Sequence, residues 1–167
     1  LYVRKDFILR KGVTESREIA IERGASAVLD PDGRWIYLRI KPEFAKTRRE
    51  KIDKKEISKD TMAVVDLTDL SIRKLGVVES FSTGKTSMPA LAFKTSWKEY
   101  KDSTDKKGSD RKGLVIYDPA SESKDTLKNI GTFGFSPDGS LLVAVTVRDK
   151  KDSLTLNSVI AAVHTPG

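Results

Sequence analysis

The sequence predicts an all-β fold assembled from repeated units, and three observations support this prediction. Short apolar runs rich in β-branched residues alternate with turn residues along most of the 167-residue chain. A shift of 52 residues aligns apolar positions, and a Pro-Asp-Gly turn occurs twice. Four predicted strands fall in each period of about 40 to 50 residues, which is typical of a propeller blade. We therefore predict a partial β-propeller of about three four-stranded blades with charged loop inserts.

The 52-residue shift places residues 64–66 (Val-Val-Asp) on residues 116–118 (Ile-Tyr-Asp). Residues 161–165 (Ala-Ala-Val-His-Thr) form a third copy, in which His164 takes the aspartate position. Apolar positions between these segments also coincide, so the repeat extends over whole units. The matched pairs are Leu75 with Leu127, Phe81 with Phe133, and Phe93 with Val145.

Two related turns mark the repeats, at residues 30–33 (Asp-Pro-Asp-Gly) and 136–139 (Ser-Pro-Asp-Gly). Proline presets φ for the second turn position, and glycine accepts the left-handed conformation that returns the chain into a strand. An apolar run precedes and follows each turn. Both segments are therefore predicted to be β-hairpins.

We predict a single incomplete propeller region over residues 1–167, with approximate blade units 1–60, 61–112 and 113–167. Charged inserts occupy residues 41–60 and 94–112. Within the first insert, a proline followed by a charge-rich stretch from Phe44 predicts a marginal helix with a thin apolar face. The run 98–112, rich in Lys, Asp, Ser and Gly, is predicted to be a solvated loop.

The net charge of +7 lies in these inserts and in residues 148–152, because the rest of the chain carries equal numbers of acidic and basic residues. Trp97 and Tyr100 flank an insert and could stack on bases. Acidic residues interrupt the basic ones at nearly every step, however, so we predict no nucleic-acid partner. No apolar run approaches the roughly 20 residues of a membrane-spanning helix. The lack of cysteine excludes disulfides, thiolate metal sites and a cysteine nucleophile.

Residues 81–86 (Phe-Ser-Thr-Gly-Lys-Thr) end like a phosphate-binding loop. Such a loop needs an earlier glycine, where this chain has Glu79, and a following helix, which Pro89 opposes. We interpret the segment as a hairpin turn and predict no nucleotide cofactor.

His164 is the only histidine and the only candidate for a conventional general base. The chain has no G-x-S-x-G elbow for a serine nucleophile, so we predict a structural role for His164 and no catalytic residue. Three carboxylate pairs could serve acid–base chemistry or bind calcium, but their spacing does not match a calcium loop, and we predict no metal site. These pairs are Asp30 with Asp32, Asp66 with Asp69, and Asp102 with Asp105.

Residues 129–142 (Asn-Ile-Gly-Thr-Phe-Gly-Phe-Ser-Pro-Asp-Gly-Ser-Leu-Leu), with residues 113–118 (Gly-Leu-Val-Ile-Tyr-Asp) before them, resemble blades of TolB-like and peptidase propellers. Residues 27–38 (Ala-Val-Leu-Asp-Pro-Asp-Gly-Arg-Trp-Ile-Tyr-Leu), followed by the Lys-rich insert and residues 62–67, resemble the N-terminal region of bacterial serine peptidases of the prolyl oligopeptidase family.

This resemblance implies a propeller that covers a C-terminal α/β-hydrolase domain of the same parent chain and restricts entry to short peptides. None of that family's Ser, Asp and His positions maps onto this sequence. The chain opens on Leu1 without a signal-peptide pattern, so we expect an excised segment of a longer protein. The resemblance implies that this segment is the non-catalytic propeller part of a serine peptidase. The resemblance is compatible with bacterial periplasm or cytoplasm.

The alternative is a propeller that binds another protein or a small ligand, with no peptidase partner domain. In either case, fewer than four blades leave open sheet edges, and we expect self-association through them.

Overall fold

The computed structural model describes residues 1–8, 14–53, 56–84, 91–99, 108–147 and 159–163. These residues form thirteen strands and one helix, in two compact units, Leu1–Gly76 and Val77–Gly167. The elements are β1 Tyr2–Ile8, β2 Thr14–Ala20, β3 Gly24–Leu29, β4 Trp35–Ile40, α1 Phe44–Ile52, β5 Thr61–Asp66, β6 Ile72–Val77, β7 Ser80–Thr83, β8 Leu91–Glu99, β9 Ser109–Tyr117, β10 Lys124–Lys128, β11 Ile130–Phe135, β12 Leu141–Thr146 and β13 Val159–Val163.

The first unit contains a four-stranded sheet in the order β3-β4-β5-β6 and a separate pair of antiparallel strands, β1 and β2. Register fixes the two faces of the four-stranded sheet: Leu38 lies opposite Ala63 on one face, and Tyr37 lies opposite Val64 on the other. All four residues are buried, so the central strands are covered on both sides. Val3 and Ile21 pack into the same cluster as Leu38, Ala63 and Val65, which joins the two sheets of this unit.

The second unit contains a four-stranded sheet in the order β10-β9-β8-β7 and a three-stranded sheet in the order β11-β12-β13. A single apolar cluster joins these two sheets. Its buried members are Ala92, Leu114, Ile130, Leu142 and Ala144.

The 52-residue repeat corresponds to equivalent places in the two four-stranded sheets. Residues 64–66 are the last three residues of β5, and residues 116–118 comprise the last two residues of β9 and the residue after it. β5 and β9 are each the third strand of their sheet in chain order. The following turns are built alike, because Leu70 and Glu122 both have a positive φ, of 62° and 58°. Short antiparallel sheets in a repeated order give the chain the fold of a partial β-propeller.

The sheets do not begin and end where the predicted blade units do. The sheets of three and four strands span residues 24–77, 80–128 and 130–163, and the two-stranded sheet lies within residues 2–20, whereas the predicted units are 1–60, 61–112 and 113–167. Sequence periodicity gives the length of a repeat but not the strand with which each sheet opens. In the structure the first strand of each of these three sheets pairs antiparallel with the next strand of the chain: β3 with β4, β7 with β8, and β11 with β12.

The first charged insert contains the predicted helix, α1, between β4 and β5. None of its residues is buried, and Phe44 and Ile52 are 77% and 71% exposed. Glu50 connects the helix to the segment that leads into β5, since its carboxylate accepts hydrogen bonds of 2.7 Å from both the N–H and the hydroxyl of Ser58.

The prediction of a solvated loop over residues 98–112 was wrong at both ends. β8 continues to Glu99 and β9 begins at Ser109, so the insert 94–112 extends a β-hairpin. Register places Trp97 opposite Arg111, and the Trp97 ring lies over Gly113. The ring covers a glycine that would otherwise leave a gap in the sheet, which favours strand pairing despite the high charge.

Within the part of the chain that the structure describes, no helix has the length and apolar character needed to cross a bilayer.

We expect Leu38→Ala to lower the free energy of unfolding by about 2–5 kcal/mol, because it removes a fully buried side chain of β4 and leaves a cavity. Leu29→Ala in neighbouring β3 is the matched control. Leu29 is 56% exposed, so its loss should cost less than about 1 kcal/mol. Urea denaturation of both variants measures the difference, and equal losses would contradict the assigned core.

Candidate functional site

The Pro-Asp-Gly turns use a side-chain oxygen at their first position to fix the backbone. In the first turn the buried Asp30 carboxylate accepts a 2.7 Å hydrogen bond from the Trp35 N–H. In the second turn the Ser136 hydroxyl accepts a 3.0 Å bond from the Leu141 N–H. Asp30 and Ser136 therefore each hold a hairpin closed.

The turns after β5 and β9 are held by aspartate in the same way. Asp66 accepts the Thr68 N–H at 2.7 Å, and Asp118 accepts the Ala120 N–H at 2.9 Å. Asp69 accepts the Ser71 N–H, and this hydrogen bond lowers the pKa of Asp69. The predicted pair of Asp66 and Asp69 thus consists of two successive turn-forming residues.

Asp66 has a second role, as the centre of a cationic cluster around Trp35. Its carboxylate lies 3.6 Å from the Arg34 guanidinium and 4.0 Å from that of Arg73. Both guanidinium groups lie over the indole of Trp35, at 4.6 and 5.2 Å from the ring centroid. Trp35 is only 2% exposed, so the two guanidinium groups help to cover its ring.

Hydrogen bonds within the second Pro-Asp-Gly turn lower the pKa of Asp138. The hydroxyls of Ser136 and Ser140 and the Ser140 N–H all donate hydrogen bonds to its carboxylate. These donors stabilise the ionised form and lower the pKa of Asp138 from 3.8 to about 2.

Several predicted candidates lie partly or wholly outside the described residues. Of the segment 81–86, residues 81–83 belong to β7, and the hairpin to β8 pairs Thr83 with Leu91. The predicted candidate residues that lie outside the described part of the chain are Lys85, Thr86, Tyr100, Asp102, Asp105 and His164. Among the described residues there is no group of three or more His, Asp and Glu side chains arranged to hold a metal ion.

The candidate binding site is a pocket of about 180 Å³ in the second unit. We call it the Trp97 pocket. It is lined by Trp97, Arg111, Lys112, Lys128 and Asn129.

Strand register brings the principal side chains of the pocket together. Trp97 lies opposite Arg111, and Lys128 lies opposite Gly113, two residues along β9 from Arg111. Residues opposite each other, and residues two apart on one strand, share a face of the sheet. Trp97, Arg111 and Lys128 therefore project from the same face, around a glycine that leaves room for the indole ring.

Asn129 is held in place by its backbone. Its N–H donates to the Lys112 carbonyl at 2.9 Å, and its carbonyl accepts from the Val147 N–H at 2.6 Å. Its φ of 59° is left-handed, a conformation that asparagine adopts more readily than most residues. The residue thus connects the two sheets of the second unit at the edge of the pocket.

Sequence reasoning identified Trp97 but not the cationic residues around it. Arg111 and Lys112 were assigned to a solvated loop, and Lys128 was a polar residue of a predicted strand. A partial signal was present: if the hairpin continues into the insert, Trp97 and Gly113 are diagonal neighbours on paired strands.

Lowering the pH should remove a stabilising contribution from Asp138. Because the folded pKa is depressed, this contribution is complete above the ordinary pKa of 3.8 and is lost as the pH falls from 3.8 to about 2. We expect Asp138→Asn to lose less stability across this interval than the parent chain, as measured by urea denaturation.

Asp32→Asn is the positional control, since Asp32 has the same place in the first turn but Asp30 and Arg34 replace the two serines. It should keep the acid dependence of the parent chain. An Asp138→Asn variant with unchanged acid dependence would contradict the assignment.

Gly113→Ala should lower the free energy of unfolding by about 1–3 kcal/mol through overpacking. The added Cβ would lie 2.9 Å from both the Leu127 carbonyl oxygen and the Trp97 ring. Gly134→Ala, with no atom within 4 Å of its Cβ, should cost less than about 1 kcal/mol. Thermal unfolding and the indole N–H signal of Trp97 in NMR spectra check both variants; an unmoved signal in Gly113→Ala would refute the ring contact.

No protein-family model and no curated protein sequence matches the chain. Solved structures do match. The propeller domain of the Trilobed protease from Pyrococcus furiosus, described as having an open velcro topology, matches with a TM-score of 0.50 at 15% identity, over 99% of this chain and 52% of that one. The tricorn protease matches with a TM-score of 0.51 at 16% identity, over 89% of this chain and 14% of that one.

The chain thus spans about half or less of the length of the solved structures it matches. At these identities the similarity concerns the fold. The strand order and these matches together establish that the chain has the fold of a partial β-propeller of the kind found in proteases.

Proposed function

We propose that the chain is a non-catalytic propeller segment of a larger serine peptidase, in which it restricts substrate access and supports a C-terminal α/β-hydrolase domain. The observation that carries this proposal is the similarity to the propeller domain of the Trilobed protease over almost the whole chain. The similarity to the tricorn protease points in the same direction.

The chemistry of the described carboxylates supports a non-catalytic role. Asp30, Asp66, Asp118 and Asp138 each accept hydrogen bonds from the turn that they close. A general acid or base needs a carboxylate directed at a substrate proton. These four residues instead stabilise the loops that connect the strands.

The sheets also suit a scaffold physically. The central strands of the two four-stranded sheets are buried on both faces, which makes each of these sheets a rigid layer, while the charged insert 41–60 occupies the connection between β4 and β5. A rigid body with long polar loops can limit the size of molecules that reach a neighbouring active site without contributing reactive groups to it.

The purified 167-residue chain should not hydrolyse proline-containing chromogenic peptides. His164→Ala is the control: hydrolysis by the parent chain that this substitution abolished would overturn the proposal. The reading frame of the parent gene provides the positive test, because we expect it to encode a G-x-S-x-G elbow followed by Asp and His. A frame without these residues would refute the peptidase assignment.

The second candidate function is a propeller that binds a small ligand without a peptidase partner. One observation favours it, the Trp97 pocket, whose lining residues include one tryptophan and three basic residues. Absence of a hydrolase domain from the parent gene, together with ligand binding at this pocket, would select this alternative.

A further inference from the structure

We propose that one exposed face of α1 binds the surface of an anionic lipid membrane. Its apolar side chains lie between the lipids, and its cationic side chains lie at the level of the headgroups. We call this surface the outward face of α1, and its residues are Phe44, Arg48, Arg49, Lys51 and Ile52. The inference goes beyond the proposed peptidase role and does not depend on it.

The orientation of α1 determines which of its residues face solvent. Thr47 and Glu50 are partly buried, and the other seven residues of the helix are exposed. Hydrogen bonds from the segment that leads into β5 hold the Glu50 carboxylate. At 3.6 residues per turn, Phe44 and Ile52 lie about 80° apart around the helix axis, with Arg48 between them and Glu50 on the opposite side. The outward face is therefore turned away from the contacts that hold α1.

The apolar part of the outward face consists of two large side chains that are exposed to water. Phe44 is 77% exposed and Ile52 is 71% exposed. Exposed aromatic and aliphatic side chains on one side of a surface helix are typical of helices that lie in a membrane interface. Insertion of these two side chains between lipid chains removes their apolar surface from water, which favours binding.

The charge of the outward face complements an anionic bilayer, because the face carries three cations and no carboxylate. On the opposite side of the helix, Lys46 pairs with Glu50 at 3.9 Å. Among the described residues, no ion pair involves Arg48, Arg49 or Lys51. Anionic headgroups attract lysine and arginine side chains that come close to the bilayer surface.

The small extent of the outward face favours a membrane over a protein partner. A stable protein interface buries about 800 Å² and about 20–30 residues on each side. The helix α1 has only nine residues, and its outward face has five of them. A membrane requires no matching groove, so a short stripe of apolar side chains among cations binds it weakly and reversibly. The apolar stem of Arg48 can lie along the acyl chains while its guanidinium stays at the headgroups.

Cosedimentation of the intact chain with lipid vesicles tests the proposal. With phosphatidylcholine vesicles that contain about 40% phosphatidylglycerol, we expect a molar partition coefficient on the order of 10³ M⁻¹. With vesicles of phosphatidylcholine alone, which carry no net charge, binding should be at least about tenfold weaker. Raising the salt concentration to about 0.5 M should release most of the bound chain from the anionic vesicles.

The cations of the outward face are tested by combining Arg48→Gln, Arg49→Gln and Lys51→Gln, which should weaken binding to the anionic vesicles about twentyfold. The matched control lowers the net charge equally by replacing one exposed lysine in each of β6, β8 and β10, and it should weaken binding less than about threefold. Its substitutions are Lys74→Gln, Lys98→Gln and Lys124→Gln.

The apolar residues are tested by combining Phe44→Ser with Ile52→Ser, which should weaken binding about tenfold. Leu29→Ser is the control, because Leu29 is also exposed, at 56%, but lies on β3. It should leave vesicle binding unchanged. Dispersed amide signals in NMR spectra verify that each variant folds.

A fluorescent label locates the contact, because the chain contains no cysteine and a single introduced cysteine is labelled uniquely. Ala45→Cys, exposed beside Phe44, should give a blue-shifted emission with an environment-sensitive dye when anionic vesicles are added. The same dye on Lys74→Cys, an exposed position on β6, should give no shift.

Each other outcome overturns the proposal. At about 5 mM lipid, a partition coefficient of about 10³ M⁻¹ binds most of the chain, so the absence of cosedimentation would remove the membrane site. Equal binding to neutral and anionic vesicles would refute the role of the cations. Equal losses in the two triple variants would show attraction by overall charge alone. A label at residue 45 that responds to soluble poly-L-glutamate but not to vesicles would assign the outward face to an acidic protein surface instead.

Discussion

Burial of the central strands on both faces is the constraint on which the rest of this structure depends. In the first unit, β4 and β5 alternate between two buried sets of side chains, so neither face is left to solvent. A sheet of this kind needs a packing layer on each side. In each unit one apolar cluster supplies such a layer, by joining the four-stranded sheet to its neighbour. Within each unit, the four-stranded sheet and its neighbour therefore cover one another.

Polar side chains stabilise the turns at the ends of the strands. Each tight turn exposes backbone N–H groups, and a short oxygen-bearing side chain at the start of the turn accepts one of them. The oxygen comes from aspartate in three of these turns and from serine in the fourth, so the geometry is retained while the residue changes. Asp30, Asp66 and Asp118 therefore each have a local structural role in the turn that they close.

Much of the fold could be predicted from the sequence, because the turns and the apolar alternation depend on neighbouring residues. The Pro-Asp-Gly turns and the helix beginning at Phe44 occur where local chemistry required them. The division into sheets could not be obtained in the same way, because hydrogen bonding across strands decides which strand opens each sheet. The extension of β8 to Glu99 was also missed, since the contact between Trp97 and Gly113 joins residues that the charge pattern assigned to a loop. The Trp97 pocket depends on that extension, so the sequence did not predict the pocket either.

The insert between β4 and β5 has a consequence for how this fold tolerates change in length. α1 has no buried residue, and the strands on either side are already fixed by their mutual register. Lengthening the segment therefore alters mainly the entropy of closing the loop, which rises by only about 0.6 kcal/mol for each doubling in length. Such a connection can acquire or lose whole elements while the sheet keeps its register. The insert at residues 41–60 is thus a position where an additional domain could be inserted without disturbing the pairing of β4 with β5.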